Sequence, residues 1–196
     1  LFPCKNLSSQ ELLFSSLYAF VLTEVGLKEN SYEEIQALQS SITGGMNASF
    51  KLLTDGQDSP GKLFLCISSK SLEENFDAME KLIFNTIENV RFDEKNRILD
   101  LFNIFISRND ESLNQNGHIL AMNSAASSLN TFSATAFQMS GLQMLNQSKA
   151  VISKMKEVSD AIELTNILKT IHSKVLHNPF KIFTACSPEA LKDKSM

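Results

Sequence analysis

The chain has 196 residues, a length that suits one domain, and its 43% hydrophobic content is enough for a sizeable core. Eighteen basic residues against 22 acidic ones give a net charge of −4, which disfavours a nucleic-acid partner, because such a partner requires a basic face. No apolar run approaches the roughly 20 residues of a membrane span. These quantities predict a single domain over residues 1–196, with no nucleic-acid partner and no membrane span.

The first two helices are predicted from capping-box patterns. Ser8 is followed three residues later by Glu11, and Ser31 by Glu34. In this pattern the serine hydroxyl and the glutamate carboxylate satisfy backbone N–H groups of the first helical turn. After Ser8, apolar residues recur at helical spacing until Gly26, which is predicted to end the first helix. The stretch Leu1-Phe2-Pro3 before it is predicted to be too short for a strand, so an unpaired sheet edge and self-association are expected.

A β-hairpin is predicted next. Gly45–Thr54 alternates apolar and polar residues, which is typical of a half-buried strand, and Leu63–Ser68 has the composition of a buried strand. Between them, Asp55–Gly61 is dense in turn-forming residues. The two strands are therefore expected to pair as neighbours.

The rest of the chain is predicted to be helical until its last part. Ser71 and Glu74 form a third capping-box pattern, and Asp93 is the predicted N-cap of the helix that follows. Gly117 and Gly141 interrupt an irregular middle region, which predicts broken helices. A further apolar stripe, made of Ala161, Leu164, Leu168, Ile171 and Val175, predicts a late helix. Phe180–Cys186, after the breaker Asn178-Pro179, is predicted to be a strand.

This order of elements indicates the α+β class. Two helices, a hairpin, several helices and a last strand fit a two-layer sandwich in which helices cover one face of a mainly antiparallel sheet.

The three cysteines indicate a reducing compartment. Cys4, Cys66 and Cys186 are widely spaced and odd in number, and none belongs to a CxxC pair. Cys66 and Cys186 lie in apolar runs, where a free thiol packs as a small hydrophobic group. The cytoplasm or an organelle matrix is therefore the predicted location.

The histidines do not form a recognisable metal or catalytic site. His172 and His177 are five residues apart, so on a helix they point roughly 140° from one another and cannot share a metal ion. His118 follows Gly117 at the start of a helical segment, where a local structural role is favoured over catalysis. No serine, cysteine or aspartate has the sequence context of a nucleophile. We therefore assign no catalytic and no metal-binding residue.

Gly44 and Gly45 form the one glycine cluster. A phosphate-binding loop needs a strand before it and a helix after it, whereas here a helix precedes and a strand follows. Helix termination by a residue with positive φ is the favoured interpretation. The alternative is that glycine lets another backbone, such as a bound peptide, approach the start of the strand.

The same region resembles a known family. Tyr32–Gln36, leading to the T-G-G-x-x-x-S pattern of Thr43–Ser49, is similar to a segment of presequence-protease-like enzymes, a branch of the pitrilysin/insulinase zinc metallopeptidases. The order and spacing of later pieces are also similar, and the similar pieces are the strand Leu63–Ser68, the helix Ser71–Glu88, Arg91–Glu94, Gly117-His118 and Ser140–Leu142. The resemblance extends from about Leu7 to Cys186.

The resemblance implies a clam-shell protein of four α/β domains that close around a peptide. Zinc is held in the first domain by H-x-x-E-H, which is absent here, because His118 is followed by Ile-Leu-Ala-Met and His172 by Ser-Lys-Val-Leu. The segment therefore matches the non-catalytic third domain, at the start of the C-terminal half. It is expected to be a fragment of a larger multidomain chain, without a cofactor of its own, although zinc is expected in the parent chain.

The expected partners are the other domains of the parent chain and peptide substrates. Gly44, Gly45, Met46, Ser49 and His118 are the candidate peptide-contacting or structural residues. The leading hypothesis is a non-catalytic, chamber-forming domain of a peptide-degrading zinc metalloendopeptidase. One alternative is a domain of a catalytically inactive homologue that serves as an assembly subunit, and another is an unrelated helical adapter. Whether the chain belongs to an active enzyme depends on zinc ligands elsewhere in the parent.

Overall fold

The protein combines seven α-helices with a three-stranded antiparallel sheet in the part of the chain that the structure describes. This computed structural model describes residues 1–54, 61–154, 161–176 and 178–187. The elements in chain order are β1 (Phe2–Cys4), α1 (Ser9–Leu22), α2 (Tyr32–Ile42), β2 (Met46–Leu53), β3 (Lys62–Ser69), a 3₁₀ turn (Glu73–Asn75), α3 (Phe76–Asn89), α4 (Lys95–Ala126), α5 (Thr131–Ser140), α6 (Leu142–Lys154) and α7 (Ala161–Leu176). This composition confirms the α+β class.

The predicted hairpin is confirmed by the pairing of β2 with β3. Met46 lies opposite Ser69 and Leu53 opposite Lys62, in an antiparallel register without a slip. The predicted turn at 55–60 lies outside the described residues. Because side chains alternate across a strand, Ala48, Phe50 and Leu65 face the helices, whereas the opposite face carries polar and half-buried residues. The helices therefore pack on one face of the sheet, as predicted.

The prediction that the chain start cannot form a strand is wrong. Phe2 pairs with Leu65 and Cys4 with Leu63, so β1 covers one edge of β3 and the sheet order is β1-β3-β2. Phe2 and Cys4 are buried in the core, and burial of two side chains holds a strand of only three residues in place. The unpaired edge expected there is thus occupied by β1.

The predicted strand Phe180–Cys186 is also not formed as regular structure. Residues 179–187 run outside any strand, and one pair of backbone hydrogen bonds links Lys181 to Leu1. Because β1 is short and its outward residue Pro3 has no N–H, β1 offers this segment almost no further backbone partner.

The core is centred on α1. Phe14, Leu17, Tyr18 and Val21 are almost completely buried, and α1 contacts β2, α4, α5, α6 and α7. The predicted stripe on α7 is confirmed, because Leu164, Leu168, Ile171 and Val175 are all buried against this core. None of the described helices combines the length and apolar character that a membrane crossing requires.

The irregular middle region consists of broken helices, as predicted. α4 departs from helical geometry at Asn116, where φ is −119° and ψ is 22°. Gly141 separates α5 from α6, and a Cβ there would lie 2.5 Å from the carbonyl oxygen of Phe137. The segment of α4 beyond the kink is mostly exposed, so it projects from the core.

Two of the three predicted capping boxes are confirmed. The Glu11 N–H donates to Ser8 Oγ at 3.2 Å and the Ser8 N–H to Glu11 Oε2 at 2.6 Å, and the Ser31–Glu34 pair is arranged in the same way. The third box is wrong, because a 3₁₀ turn precedes α3 and no side chain caps either element. Asp93 is not an N-cap either, since its carboxylate binds the Arg91 guanidinium and Glu94 occupies the cap position.

These caps predict a difference between two serines. Ser8→Ala removes an acceptor for a helix N–H and should reduce the free energy of unfolding by about 1 kcal/mol. Ser71→Ala removes the same hydroxyl from a residue that caps nothing and should change the stability by less than about 0.5 kcal/mol. Urea unfolding of both variants tests this. Equal losses would show that Ser71 has a cap role after all.

One histidine lies inside the core and joins three helices. His172 Nδ1 of α7 is 2.8 Å from Tyr18 Oη of α1, and its ring also bonds the backbone of Ile87 in α3. Burial lowers the pKa of His172 to about 4, because the charged imidazolium would be poorly solvated there. The ring is therefore a neutral structural group, consistent with the half-buried role predicted for it. His177 lies outside the described residues.

This environment predicts a pH dependence of stability. The unfolded chain takes up a proton on His172 near its ordinary pKa of 6.5, whereas the folded chain does so only near 4. The unfolded state therefore binds more protons between these values, and stability should fall as pH decreases from 6.5 to 4. His172→Gln should flatten that decrease in urea titrations at several pH values. His118→Gln, at an exposed position, is the matched control, and an equal flattening there would contradict the prediction.

Candidate functional site

The largest concavity in the described part of the chain is a groove between β3, α3 and residues 180–187. Its volume is about 670 Å³. The wall contributed by α3 is apolar and includes Met79, Ile83 and Ile87. The facing edge is backbone, from Cys66 to Lys70 of β3 on one side and from Lys181 to Ser187 on the other. We call this feature the α3–β3 groove.

Aromatic rings close one end of the α3–β3 groove. The Phe180 ring lies 5.0 Å from that of Phe2 and 5.8 Å from that of Phe84, measured between centroids. Ile182 and Phe183 beyond them are 58% and 74% exposed. A contiguous exposed apolar surface of this kind is typical of a contact site rather than of a free surface.

The glycine cluster lies at the other end of the same strand pair. α2 ends at Ile42 with Thr43 extended, so the helix end itself has no residue of positive φ. Gly45, two residues later, has φ +112° and opens β2. The Gly44 N–H donates to the Lys70 carbonyl at 2.8 Å and the Gly45 N–H to Thr43 Oγ1 at 3.1 Å. The prediction of a positive φ is confirmed, but this φ serves the strand start rather than the helix end.

The other predicted site residues are not brought together. Met46 and Ser49 follow on β2 but face opposite sides of the sheet, because they are three residues apart. His118 lies on α4 beyond its kink and is exposed. The structure thus places Gly44, Gly45, Met46 and Ser49 near one strand, and His118 on a separate helix. Their assignment as peptide-contacting residues stays a prediction.

The α3–β3 groove is not predictable from the sequence. Its components come from both ends of the chain and from its middle, and only tertiary structure brings them together. The one available signal is the aromatic content of the segment Phe180–Phe183, which by itself indicates a strand.

The described residues do not provide a metal centre. No three of their His, Cys, Asp and Glu side chains lie close enough together to hold a metal ion. Cys4 is buried, which raises the pKa of its thiol to about 11, so it is a weak ligand and a poor nucleophile. Cys66 is half-buried, but Cys186 is exposed, so the prediction that Cys186 packs as a core residue is wrong.

These features define a class first: an α+β domain with a projecting helical arm, an open groove and no catalytic centre among its described residues. Comparison with known proteins gives the family. Residues 1–150 match the model of the domain associated with M16 peptidases of subfamily C, and the chain belongs to that family.

Two curated relatives are presequence proteases. The chain is 26% identical over 178 residues to "Presequence protease, mitochondrial" of Drosophila melanogaster, an alignment covering 90% of this chain and 17% of that protein. It is 24% identical over 186 residues to the protein of the same name from Danio rerio, covering 92% and 18%. The chain thus spans under a fifth of these relatives. The match confirms the resemblance to presequence-protease-like enzymes.

The geometry of the glycine cluster predicts a difference between its two members. At Gly45 a side chain has free space, but φ of +112° is strained for any L residue, so Gly45→Ala should cost about 1–2 kcal/mol of stability. At Gly44 the new Cβ would meet the Lys70 side chain at 2.9 Å, and this flexible side chain can move. Gly44→Ala should therefore cost less. Thermal melting of both variants decides, and a larger loss at Gly44 would contradict this account.

Proposed function

We propose that this chain is a non-catalytic, chamber-forming domain of a peptide-degrading zinc metalloendopeptidase of the presequence-protease type. The observation that carries the proposal is the family match over residues 1–150, together with alignments that cover 90% of this chain but only 17% of a named protease. In this proposal the chain corresponds to the third domain of the longer protein, at the start of its C-terminal half.

The histidines support the non-catalytic role. Zinc in this class of enzyme is expected on an H-x-x-E-H motif, and neither His118 nor His172 begins one. His172 is engaged by Tyr18 inside the core, and His118 is exposed on the arm of α4. The described residues therefore do not fit a zinc ion, and no catalytic step is assigned to them. Zinc and the water-activating glutamate belong to another domain in this proposal.

Exposed apolar surface supports a wall-building role. Besides the α3–β3 groove, the end of α4 and the residues after it expose Ile119, Met122 and Leu129, the last of which is 77% exposed. A domain that folded to function alone would bury or avoid such residues, whereas contacts with neighbouring domains would cover them. The other domains of the parent chain and the peptides it encloses are thus the proposed partners.

A reducing organelle matrix is the proposed location. Both relatives are named as mitochondrial. The free cysteines of this chain, at positions 4, 66 and 186, agree with a compartment in which thiols stay reduced. The alternative of an inactive assembly subunit is not favoured, because both relatives are named proteases.

The proposal predicts where zinc and activity reside. The longer protein should cleave unstructured peptides, lose that activity with a chelator and regain it with zinc. The 196-residue chain alone should retain no zinc after dialysis and cleave nothing. Metal analysis and a fluorogenic peptide assay measure both. One zinc per short chain would overturn the non-catalytic assignment, and a longer protein without zinc-dependent cleavage would overturn the peptidase.

A further inference from the structure

The sheet contains one incomplete edge. β3 is eight residues long, but β1 pairs only with Leu63–Leu65. On the β1 side, Cys66–Ser69 have no strand partner among the described residues, although β2 pairs with them on the other side. This free stretch of edge is the part of β3 that lines the α3–β3 groove.

The opposite wall of the groove is aligned with the same missing strand. Leu1 and Lys181 exchange both backbone hydrogen bonds, at 2.7 Å and 2.9 Å. Two residues that exchange both bonds form an antiparallel pair. Chain upstream of Leu1 would therefore run past Ile182, Phe183 and Thr184, while its other edge runs past Cys66–Ser69.

We infer that the α3–β3 groove is a β-strand slot, filled in the longer protein by the three to four residues that immediately precede Leu1. These residues extend β1 and join β3 on one side to residues 182–185 on the other. The sheet then has four strands, with the C-terminal segment as its edge. The slot rests on the proposed function only in that the chain is part of a longer protein.

The pairing can be specified residue by residue, because strand residues direct their backbone groups alternately to the two edges. Leu1 bonds Lys181, so Phe2 directs its backbone groups to Leu65 of β3. The Lys70 carbonyl bonds Gly44, which shows that even-numbered residues of β3 face β2. Ile67 and Ser69 therefore point their amides into the slot, whereas Cys66 and Ser68 do not.

The slot also specifies the chemistry of its occupant. The residue directly before Leu1 lies opposite Ile67 and Ile182, on the face of the sheet that carries Phe2 and Phe180. That face meets the apolar wall of α3 at Ile83. An apolar side chain is therefore required at the first position upstream of Leu1, and again at the third.

Hydrogen exchange resolved to single residues tests the slot in the longer protein, with the 196-residue chain for comparison. The amides of Ile67 and Ser69 should exchange at least about tenfold more slowly in the longer protein. Those of Cys66 and Ser68, bonded to β2 in both, are the internal control. Replacing the residue before Leu1 with proline removes the donor to Ile67 and should restore fast exchange there, with Cys66 and Ser68 unchanged.

Equal exchange of Ile67 and Ser69 in the two proteins would overturn the inference, and so would protection that appears only when a peptide is added. The result is separable from the proposed function. A longer protein without peptidase activity could still show the protection pattern, and an active peptidase without the pattern would refute the slot alone.

Discussion

The burial of α1 is the constraint on which the rest of the structure depends. This helix lies between the sheet and the other helices, and Leu17, Tyr18, Val21 and Leu22 lose essentially all contact with water. Burial of each such side chain stabilises the fold by roughly 1.5–3 kcal/mol. Because Tyr18 carries a hydroxyl into this core, a polar partner must be buried with it, and His172 is that partner. The position of α7 follows from this pairing.

Polar contacts then fix the ends of the central helices. Burial alone would raise the pKa of Glu11, but the Lys174 ammonium at 2.7 Å and the Ser8 N–H hold that pKa below its usual value. The start of α1 is thereby attached to the end of α7. Glu94 accepts the Gly26 N–H at 2.7 Å and attaches the start of α4 to the loop after α1 in the same way. A helix end held on both sides positions the segments that follow it.

One consequence is that both chain ends described by the structure converge on the α3–β3 groove. α7 directs residues 178–187 back across the sheet, where Lys181 meets Leu1. A domain organised in this way presents its incomplete edge and its apolar groove at the place where neighbouring polypeptide would enter and leave. This arrangement suits a module inside a longer chain, which agrees with the small share of each presequence protease that it spans.

The amino-acid sequence by itself determined the elements whose signals are local. The hairpin followed from alternation at 45–54, α7 from its apolar stripe, and two capping boxes from serine and glutamate at fixed spacing. The T-G-G-x-x-x-S pattern also indicated the family. Each of these signals depends on residues within a few positions of one another.

Tertiary structure alone decided the rest. Ser71 has a capping pattern but caps nothing, because β3 delivers the chain into a 3₁₀ turn. The start of the chain forms a strand in spite of its three residues, because Phe2 and Cys4 fill the core beside β3. Phe180–Cys186 has strand composition but lacks a strand partner long enough to pair with it. A strand is made by its neighbour as much as by its own residues, and no local pattern shows which neighbour the fold will supply.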